Sequence, residues 1–307
     1  MGKYKLSKIK KWKFENIPDQ TGKIVIVTGA NSGIGFEVTK ALTRKGAQVI
    51  MACRNINNAE TAKKKILYEF PDIKIEIIHL DLSDLSSIRQ FSNEFLEKYS
   101  RLDILCNNAG IMMTPEQKTV NGFELQIGTN YLGHFALTGL LIKMLINTGD
   151  SRIISMSSYG HNWGKIYFDD LNLNNKYDMG KAYAQSKLAN LLFAYELQRR
   201  LTTLGTNVIS NASHPGWTKK TNLPKYVFLL RLLNPFIGMK PEKGALSMIY
   251  AATAPEAEGG AFYGPNGRFQ VRGYPIKVKS SDKSYNLDDA KKLWELSEKL
   301  TGITFPF

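Results

Sequence analysis

The chain has 307 residues, of which 43% are hydrophobic and 22% are charged, a balance that suits one large globular domain or two small ones. No run of 18 or more apolar residues occurs and the N-terminus is rich in lysine, which excludes a spanning helix and a secretory signal and predicts a cytoplasmic protein. The net charge of +14 suits an anionic partner, but no nucleic-acid-binding motif accompanies it, so no nucleic acid is expected.

Residues 1–20 are predicted to form a basic arm. Over residues 1–14, six lysines alternate with aromatic and aliphatic side chains. Such an arm can lie on an anionic bilayer as a peripheral membrane contact. Alternatively, it is a solvated tail whose Trp12 and Phe14 dock on the domain, and this is the interpretation that we favour.

Short apolar runs alternate with longer helical patterns from residue 21 onward. The predicted strands are KIVIVTG, AQVIMAC, IKIEIIHL, LDILCN, SRIISMSS and TNVISNAS, with helices near 33–45, 57–69 and 84–98, within 117–147, and around Tyr183. Apolar strands separated by helices imply a parallel sheet covered on both faces. We therefore predict a single doubly wound α/β domain, a Rossmann fold, over 21–280, with a C-terminal helix and tail over 281–307. Cys53 and Cys106 end two of these strands without the spaced partners of a disulfide framework or metal site, so we expect small core residues.

The segment YVFLLRLLNPFIGM, residues 226–239, is apolar apart from Arg231 and is interrupted by Pro235. It follows the carboxyl end of a predicted strand, where α/β folds bind ligands. We predict a mobile lid near 222–241 over an apolar substrate. A core-packing or membrane-touching insert is the alternative.

A glycine-rich loop, TGANSGIG at 28–35, follows the first strand and opens the first helix. Its glycines permit a tight turn and close approach of a pyrophosphate, and the helix offers unpaired N–H groups. The expected cofactor contacts of this loop are Gly29, Asn31, Ser32, Gly33, Ile34 and Gly35.

The second strand ends in MACRN, without the carboxylate that usually holds a free ribose 2′-hydroxyl. The guanidinium of Arg54 can bind a 2′-phosphate instead, which predicts NADP rather than NAD. Asp81 in HLDLSD ends the third strand, where it can meet the adenine amino group, with Leu82 beside it. Asp81 can also cap the following helix, and Ser83 can do so in its place.

Six motifs occur in the order and approximate spacing of the short-chain dehydrogenase/reductase family, which the chain resembles from about 20 to 280. They are the glycine loop, NNAG at 107–110, Asn130 of GTNYLGHF, the serine of ISMSSYG, Tyr-x-x-x-Lys at 183–187 and HPGWT at 214–218. ANSGIG, MACRN, NYLGHF and YAQSKLAN are most similar to the retinol-dehydrogenase-like branch, as are YGPNGRFQVRGYP and AKKLWELSEKLTG near the C-terminus.

The resemblance implies roles for four catalytic residues. Tyr183 is the acid/base at the substrate oxygen. Lys187 lies one helical turn away, lowers the pKa of Tyr183 and hydrogen-bonds the nicotinamide ribose. Ser158, rather than its neighbour Ser157, hydrogen-bonds the reacting oxygen, and Asn130 holds a water that links Lys187 to solvent.

The resemblance also implies cofactor contacts outside the glycine loop. Thr218 is expected to bind the nicotinamide carboxamide in a turn shaped by Pro215 and Gly216. His134 follows Asn130 by one helical turn and is interpreted as a packing residue, with a catalytic role as the alternative. The remaining contacts implied are Asn108, Ala109, Gly110, Tyr183 and Lys187.

The predicted function is an NADP(H)-dependent oxidoreductase that acts on a small apolar alcohol, aldehyde or ketone. Its substrate pocket is predicted to be lined by Ile111, Met112, Met113 and Trp217. A non-catalytic NADP-binding sensor or scaffold is one alternative. A protochlorophyllide-reductase-like enzyme is another, although such enzymes tend to have cysteines where this chain has Ala189 and Trp217. Assembly as a homodimer is left open.

Overall fold

One eight-stranded sheet forms the centre of the computed structural model, which describes residues 11–219 and 238–307. The strands are β1 (Ile24–Thr28), β2 (Gln48–Cys53), β3 (Ile75–His79), β4 (Ile104–Asn107), β5 (Arg152–Met156), β6 (Ile209–Ser213), β7 (Phe262–Pro265) and β8 (Pro275–Val278). They lie in the order β3-β2-β1-β4-β5-β6-β7-β8, and all neighbours are parallel except the antiparallel pair β7 and β8. The predicted single-domain doubly wound α/β fold is confirmed, with an antiparallel strand added at one edge.

Helices cover both faces of this sheet, as the alternating pattern predicts. They are α1 (Gly33–Thr43), α2 (Ile56–Glu69), α3 (Leu85–Lys98), α4 (Leu125–Ile127), α5 (Gly133–Thr148), α6 (Met179–Thr203), α7 (Pro241–Thr253) and α8 (Leu287–Thr301). A π-helical turn, Gly128–Leu132, joins α4 to α5, so the long helix predicted within 117–147 contains an irregular turn. The helices predicted near 33–45, 57–69 and 84–98 agree with α1, α2 and α3.

The two larger apolar cores lie on opposite faces of the sheet. Ile26 of β1 belongs to one core, whereas its neighbours Val25 and Val27 belong to the other, as the alternation of side chains along a strand requires. The core that contains Ile26 lies under α3, α5, α6 and α8. Its aromatic rings include Trp294 of α8 and Phe305, whose centroids are 4.5 Å apart, so the C-terminal helix and tail pack against the sheet domain.

The N-terminal residues that the structure describes dock on the domain. Trp12 is buried, and its ring meets the edge of Tyr250 on α7 at 5.2 Å between centroids. The guanidinium of Arg44 lies 4.2 Å from the centroid of the Phe14 ring. The favoured interpretation of these two aromatic residues therefore agrees with the structure, while residues 1–10 of the arm lie outside the described part.

The predicted lid near 222–241 falls mostly on residues 220–237, which lie outside the described part of the chain. Of the residues next to this gap, Met239 is buried and its backbone pairs with that of Thr218. Among the helices of residues 11–219 and 238–307, none has both the length and the apolar composition needed to cross a bilayer. The cytoplasmic location and the peripheral membrane contact stay predictions.

Candidate active site

The carboxyl ends of the parallel strands gather the predicted site residues along one edge of the sheet. Strand order reverses between β1 and β4, so the loops that follow these two strands diverge and leave a crevice. The glycine loop follows β1, NNAG spans the end of β4, and Ser158 follows β5. HPGWT follows β6 at the same edge. The topology therefore places four of the six sequence motifs around one crevice.

The glycine loop lies directly against the NNAG segment. Gly29 has a φ of +64°, and a Cβ added there would lie 3.0 Å from the Cβ of Ala109. A Cβ on Gly35 would lie 2.6 Å from Nδ2 of Asn108. Asn108 Nδ2 also donates a hydrogen bond to the carbonyl oxygen of Thr28 at 2.8 Å. Side chains at Gly29 and Gly35 would crowd the NNAG segment. The glycine loop and NNAG therefore pack together as one continuous wall of the crevice.

The N-terminus of α1 presents backbone donors of the kind that bind phosphate. Ser32 precedes the helix with extended backbone (φ −159°), and its side chain makes no capping hydrogen bond. Ser32 is exposed, Asn31 and Gly33 are half-buried, and Ile34 is buried against the protein. The uncapped first turn and the absence of side chains at the glycines fit the pyrophosphate of a dinucleotide.

Arg54 is exposed immediately after β2, the strand that pairs with β1 on the side away from β4. No ion pair within the described ranges involves its guanidinium. Asn55, the next residue, caps α2 by accepting a hydrogen bond from the backbone of Asn58 at 2.9 Å. The guanidinium of Arg54, next to the glycine loop, is thus a cationic hydrogen-bond donor that suits a phosphate group.

Asp81 does not cap the following helix, and neither does Ser83. The cap of α3 is Asp84, which accepts a hydrogen bond from the backbone of Ser86 at 2.8 Å. Asp81 instead accepts hydrogen bonds from the backbone and hydroxyl of Ser83, at 2.9 and 2.6 Å, because α3 begins too far along the chain. Leu82 is buried in the core. Its contact with the cofactor, like that of Asp81, stays a prediction.

Tyr183 and Lys187 occupy one buried face of α6. They are 5% and 3% exposed, and Nζ of Lys187 lies 5.8 Å from the centroid of the Tyr183 ring. The ammonium group donates a hydrogen bond to the carbonyl oxygen of Met156, at the end of β5, at 3.1 Å. A Cβ added to Gly110 would lie 3.2 Å from both this nitrogen and Oδ1 of Asn130, so NNAG, Asn130 and Lys187 meet at one point.

The structure brings Ser158, and not Ser157, to the phenol of Tyr183. Gly160 lies against both side chains: a Cβ added there would lie 3.1 Å from the Tyr183 ring and 3.6 Å from Ser158 Oγ. Ser157 is buried, and its hydroxyl donates a hydrogen bond to the backbone carbonyl of Lys187 at 2.8 Å. The two adjacent serines therefore make different contacts: Ser158 lies beside the phenol, and Ser157 binds the backbone of α6.

Burial controls the protonation of Tyr183 and Lys187. It raises the pKa of Tyr183 to about 12, against the opposing effect of the Ser158 hydrogen bond, and lowers the pKa of Lys187 to about 8. The resemblance implies a lowered pKa for Tyr183, so the structure gives the opposite direction. The reason is that burial removes the phenolate from water, and this cost exceeds the opposing effect of Ser158.

Asn130 lies in the π turn and is held on both sides of its amide. Its Oδ1 accepts a hydrogen bond from the backbone N–H of Ile111 at 2.8 Å, and its Nδ2 donates to Ser186 Oγ at 2.9 Å. Its carbonyl oxygen lies 3.0 Å from Nδ1 of His134. His134 is 3% exposed and burial lowers its pKa to about 4, so it is a neutral residue packed behind the site.

The HPGWT turn reaches the glycine loop from the far side of the crevice. Thr218 donates a hydrogen bond from its hydroxyl to the carbonyl oxygen of Pro215 at 3.1 Å, across Gly216. A Cβ on Gly244, at the start of α7, would collide with the Thr218 hydroxyl and would lie 2.8 Å from Cδ1 of Ile34. Thr218 and Ile34 thus pack around the same point, which closes the ring of predicted cofactor residues.

Two residues near the cofactor loop, Thr28 and Cys53, are not among the predicted site residues. The hydroxyl of Thr28 accepts hydrogen bonds from the backbone N–H groups of Asn108 and Ala109, both at 2.9 Å. Burial raises the pKa of Cys53 to about 11, and backbone hydrogen bonds from Ala30 and Asn31 oppose this effect. Cys53 is a buried free thiol, as predicted, and it also supports the loop. In the sequence, only their positions at the ends of β1 and β2 indicate that they lie near the cofactor loop.

Comparisons with known proteins point in one direction. A family model described as short chain dehydrogenase matches residues 23–228. Retinol dehydrogenase 14 from Homo sapiens is 40% identical over 304 residues, covering 92% of this chain and 87% of that protein. Polyprenol dehydrogenase from Homo sapiens is 39% identical over 296 residues, covering 93% of this chain and 87% of that protein. The crystal structure of an uncharacterized protein from Mycobacterium Paratuberculosis has 41% identity and a TM-score of 0.82, covering 97% of this chain and 100% of that one.

Proposed function

The chain belongs to the short-chain dehydrogenase family and is an oxidoreductase of alcohol or carbonyl groups, and we propose that it transfers a hydride between NADP(H) and an apolar alcohol, aldehyde or ketone. Relatives named retinol dehydrogenase confirm the resemblance inferred from the motifs. The observation that carries the proposal is the grouping of Tyr183, Ser158 and Lys187 at the crevice that the glycine loop borders.

In the proposed mechanism the side chains handle the proton and orient the substrate oxygen. When bound, the nicotinamide supplies or accepts the hydride. Tyr183, with its pKa raised to about 12, is protonated at neutral pH and donates its proton to a carbonyl oxygen that is becoming an alkoxide. Ser158 holds the same oxygen by a second hydrogen bond. Lys187 stabilises the phenolate that forms, because its cationic form is adjacent.

Arg54 supports the choice of NADP. It is exposed at the end of β2, where many relatives of this fold place an acid for the ribose hydroxyls, and it has a planar cationic group that suits a 2′-phosphate. We expect Arg54→Glu to raise KM for NADPH by about tenfold or more and to leave KM for NADH unchanged or lower. Lys291→Glu, the same charge reversal on the exposed surface of α8, is the matched control. Equal use of NADH and NADPH by the wild type would remove the basis for this choice.

The substrate class rests on the apolar surroundings of the site and on the names of two relatives. Ile111, Met112 and Met113 follow NNAG and are half-buried, and Trp163, five residues after Ser158, is 70% exposed. Retinol and polyprenol, the substrates in the relatives' names, are long apolar alcohols. The proposal includes the lid near 222–241, and a homodimer and a peripheral membrane contact stay predictions.

Oxidation of NADPH, followed by absorbance with aldehydes of increasing chain length, tests the proposal. We expect kcat/KM to rise with chain length, because each buried methylene adds about 0.8 kcal/mol of transfer free energy. Tyr183→Phe is the control for background reduction. Tight binding of NADPH without turnover of any carbonyl would favour the sensor or scaffold instead.

A further inference from the structure

We propose that His161 is a positioning residue that fixes Ser158 by connecting its backbone to a C-terminal turn, residues 280–285. This inference rests on the proposed function, because it assumes that Ser158 holds the substrate oxygen. Within the described ranges, the side chain of His161 makes no hydrogen bond to Tyr183. Its contacts run instead from the carbonyl oxygen of Ser158 to the backbone of Ser281.

Two hydrogen bonds fix the proton on the imidazole of His161. Nδ1 lies 2.6 Å from the carbonyl oxygen of Ser158, and the backbone N–H of Ser281 donates to Nε2 at 3.0 Å. A carbonyl oxygen only accepts and a backbone N–H only donates, so the proton must be on Nδ1. His161 is therefore held as one neutral tautomer, and its hydrogen bond from Ser281 joins residues 120 positions apart in the chain.

The surroundings of His161 reinforce this state. The side chain is 2% exposed, and burial lowers its pKa. The ring of Phe262 lies 5.4 Å away between centroids, in an edge-on arrangement, with His214 against the same ring. A second proton on His161 would point at the donating N–H of Ser281 and would have no acceptor there.

The C-terminal turn also contacts the helix that carries Tyr183. Ser280 Oγ is hydrogen-bonded to the hydroxyl of Tyr195 on α6 at 2.8 Å, and the rings of Tyr195 and Tyr285 are stacked 5.2 Å apart. Lys283 adds a hydrogen bond to the carbonyl oxygen of Gly164, which ends the turn that begins at Ser158. One segment of chain therefore touches both elements whose separation sets the distance from Ser158 to Tyr183.

Removing one donor from the backbone tests this connection without changing a side chain near the phenol. Ser281 has a φ of −63°, which proline adopts, so Ser281→Pro deletes the N–H and can keep the local backbone. Ser281→Ala keeps the N–H and is the matched control. The hydroxyl it removes is buried and makes no hydrogen bond in the described part of the chain, so its loss is expected to be harmless.

We expect Ser281→Pro to lower kcat by roughly tenfold, with KM for NADPH within a factor of two of wild type, because the glycine loop lies at other strands. Ser281→Ala should match the wild type in both constants. His161→Asn, whose amide nitrogen replaces Nδ1, should retain more kcat than His161→Gln, whose amide oxygen replaces Nε2. A Ser281→Pro protein with wild-type kcat, or equal losses in the proline and alanine variants, would overturn the proposal.

A spectroscopic measurement separates this proposal from the proposed function. The chain has four histidines, so the 15N signals of the imidazole of His161 can be assigned by their loss in His161→Gln. We expect a protonated Nδ1 and an unprotonated Nε2 in the wild type. The opposite tautomer would refute the bridge even if the enzyme is active. The expected tautomer in a protein that reduces no carbonyl would refute the proposed function, and with it the role of the bridge in turnover.

Discussion

The hydroxyl of Thr28 tests how the glycine loop is joined to the neighbouring strand. Thr28 is fully buried, and its hydroxyl lies 2.9 Å from the backbone nitrogens of Asn108 and Ala109 and from Nε2 of His134, and 3.3 Å from the carbonyl oxygen of Cys106. Because Nδ1 of His134 faces a carbonyl oxygen, Nε2 is the acceptor and the Thr28 hydroxyl donates to it. Thr28→Val keeps the shape of the side chain and removes every hydrogen bond of the hydroxyl.

The expected cost follows from what the substitution leaves behind. A buried donor or acceptor without a partner costs about 1–3 kcal/mol. Asn108 and Ala109 are half-buried, so water can partly replace the lost bonds to their N–H groups, whereas Nε2 of His134 has no such access. We therefore expect Thr28→Val to lower the free energy of unfolding by about 3 kcal/mol.

Thr39 provides a matched control on α1. It is also fully buried, but its hydroxyl makes no hydrogen bond in the described ranges. Thr39→Val should leave the free energy of unfolding unchanged or raise it by about 1 kcal/mol, because a desolvated hydroxyl without a partner is removed. Urea unfolding followed by circular dichroism measures both variants, with an unchanged m-value as the check on two-state behaviour. Equal destabilisation by the two substitutions, or a loss under about 1 kcal/mol for Thr28→Val, would refute this account.

Three other substitutions probe the site. Tyr183→Phe should lower kcat by about 10³-fold or more while KM for NADPH stays within a factor of two, since the phenol supplies the proton and steady-state kinetics separate the constants. The pKa of Lys187 is about 8 in the folded protein, against an ordinary lysine pKa of 10.5 in the unfolded chain, so the unfolded chain binds more protons between these values and wild-type stability rises there with pH. Lys187→Met should accordingly be more stable than wild type at pH 7, by up to about 3 kcal/mol, and this advantage should decline from about pH 8 to 10.5. Urea titrations at several pH values measure it. A difference in unfolding free energy that does not change with pH would contradict the burial argument. Gly35→Ala should weaken NADPH binding by about tenfold or more, measured by fluorescence titration, because a Cβ would lie 2.6 Å from Asn108 Nδ2; wild-type affinity would show that the loop relaxes.

Most of the sheet was predictable because its strands are buried on both faces and therefore apolar throughout. β7 and β8 were not predicted, since FYGP and PIKV are short and contain proline or glycine, so neither presents a continuous apolar run. The π turn at Gly128–Leu132 was not predicted either. A single extra residue in a helical turn leaves the apolar pattern of the flanking helix almost unchanged.

At the candidate site, the sequence indicated which residues meet but not how their surroundings act on them. The spacing of Tyr183 and Lys187 predicted a shared helix face, and the structure has it. The direction of the pKa shift of Tyr183 depends on burial by residues distant in sequence, which no local pattern contains. The same limit applies to Asp84, one of several adjacent residues able to cap α3, because the cap depends on where the helix begins.

The reversal of strand order between β1 and β4 also bears on how the protein reaches its native state. Val25 pairs with Ile104, so the crevice closes only after a chain segment of about 80 residues has been looped out and ordered. Parallel pairings of this separation form slowly compared with helices. During refolding from urea, helical circular dichroism should therefore recover before NADPH binding does. Intermediates that already contain helices will lack the cofactor crevice and will be the species most exposed to proteolysis.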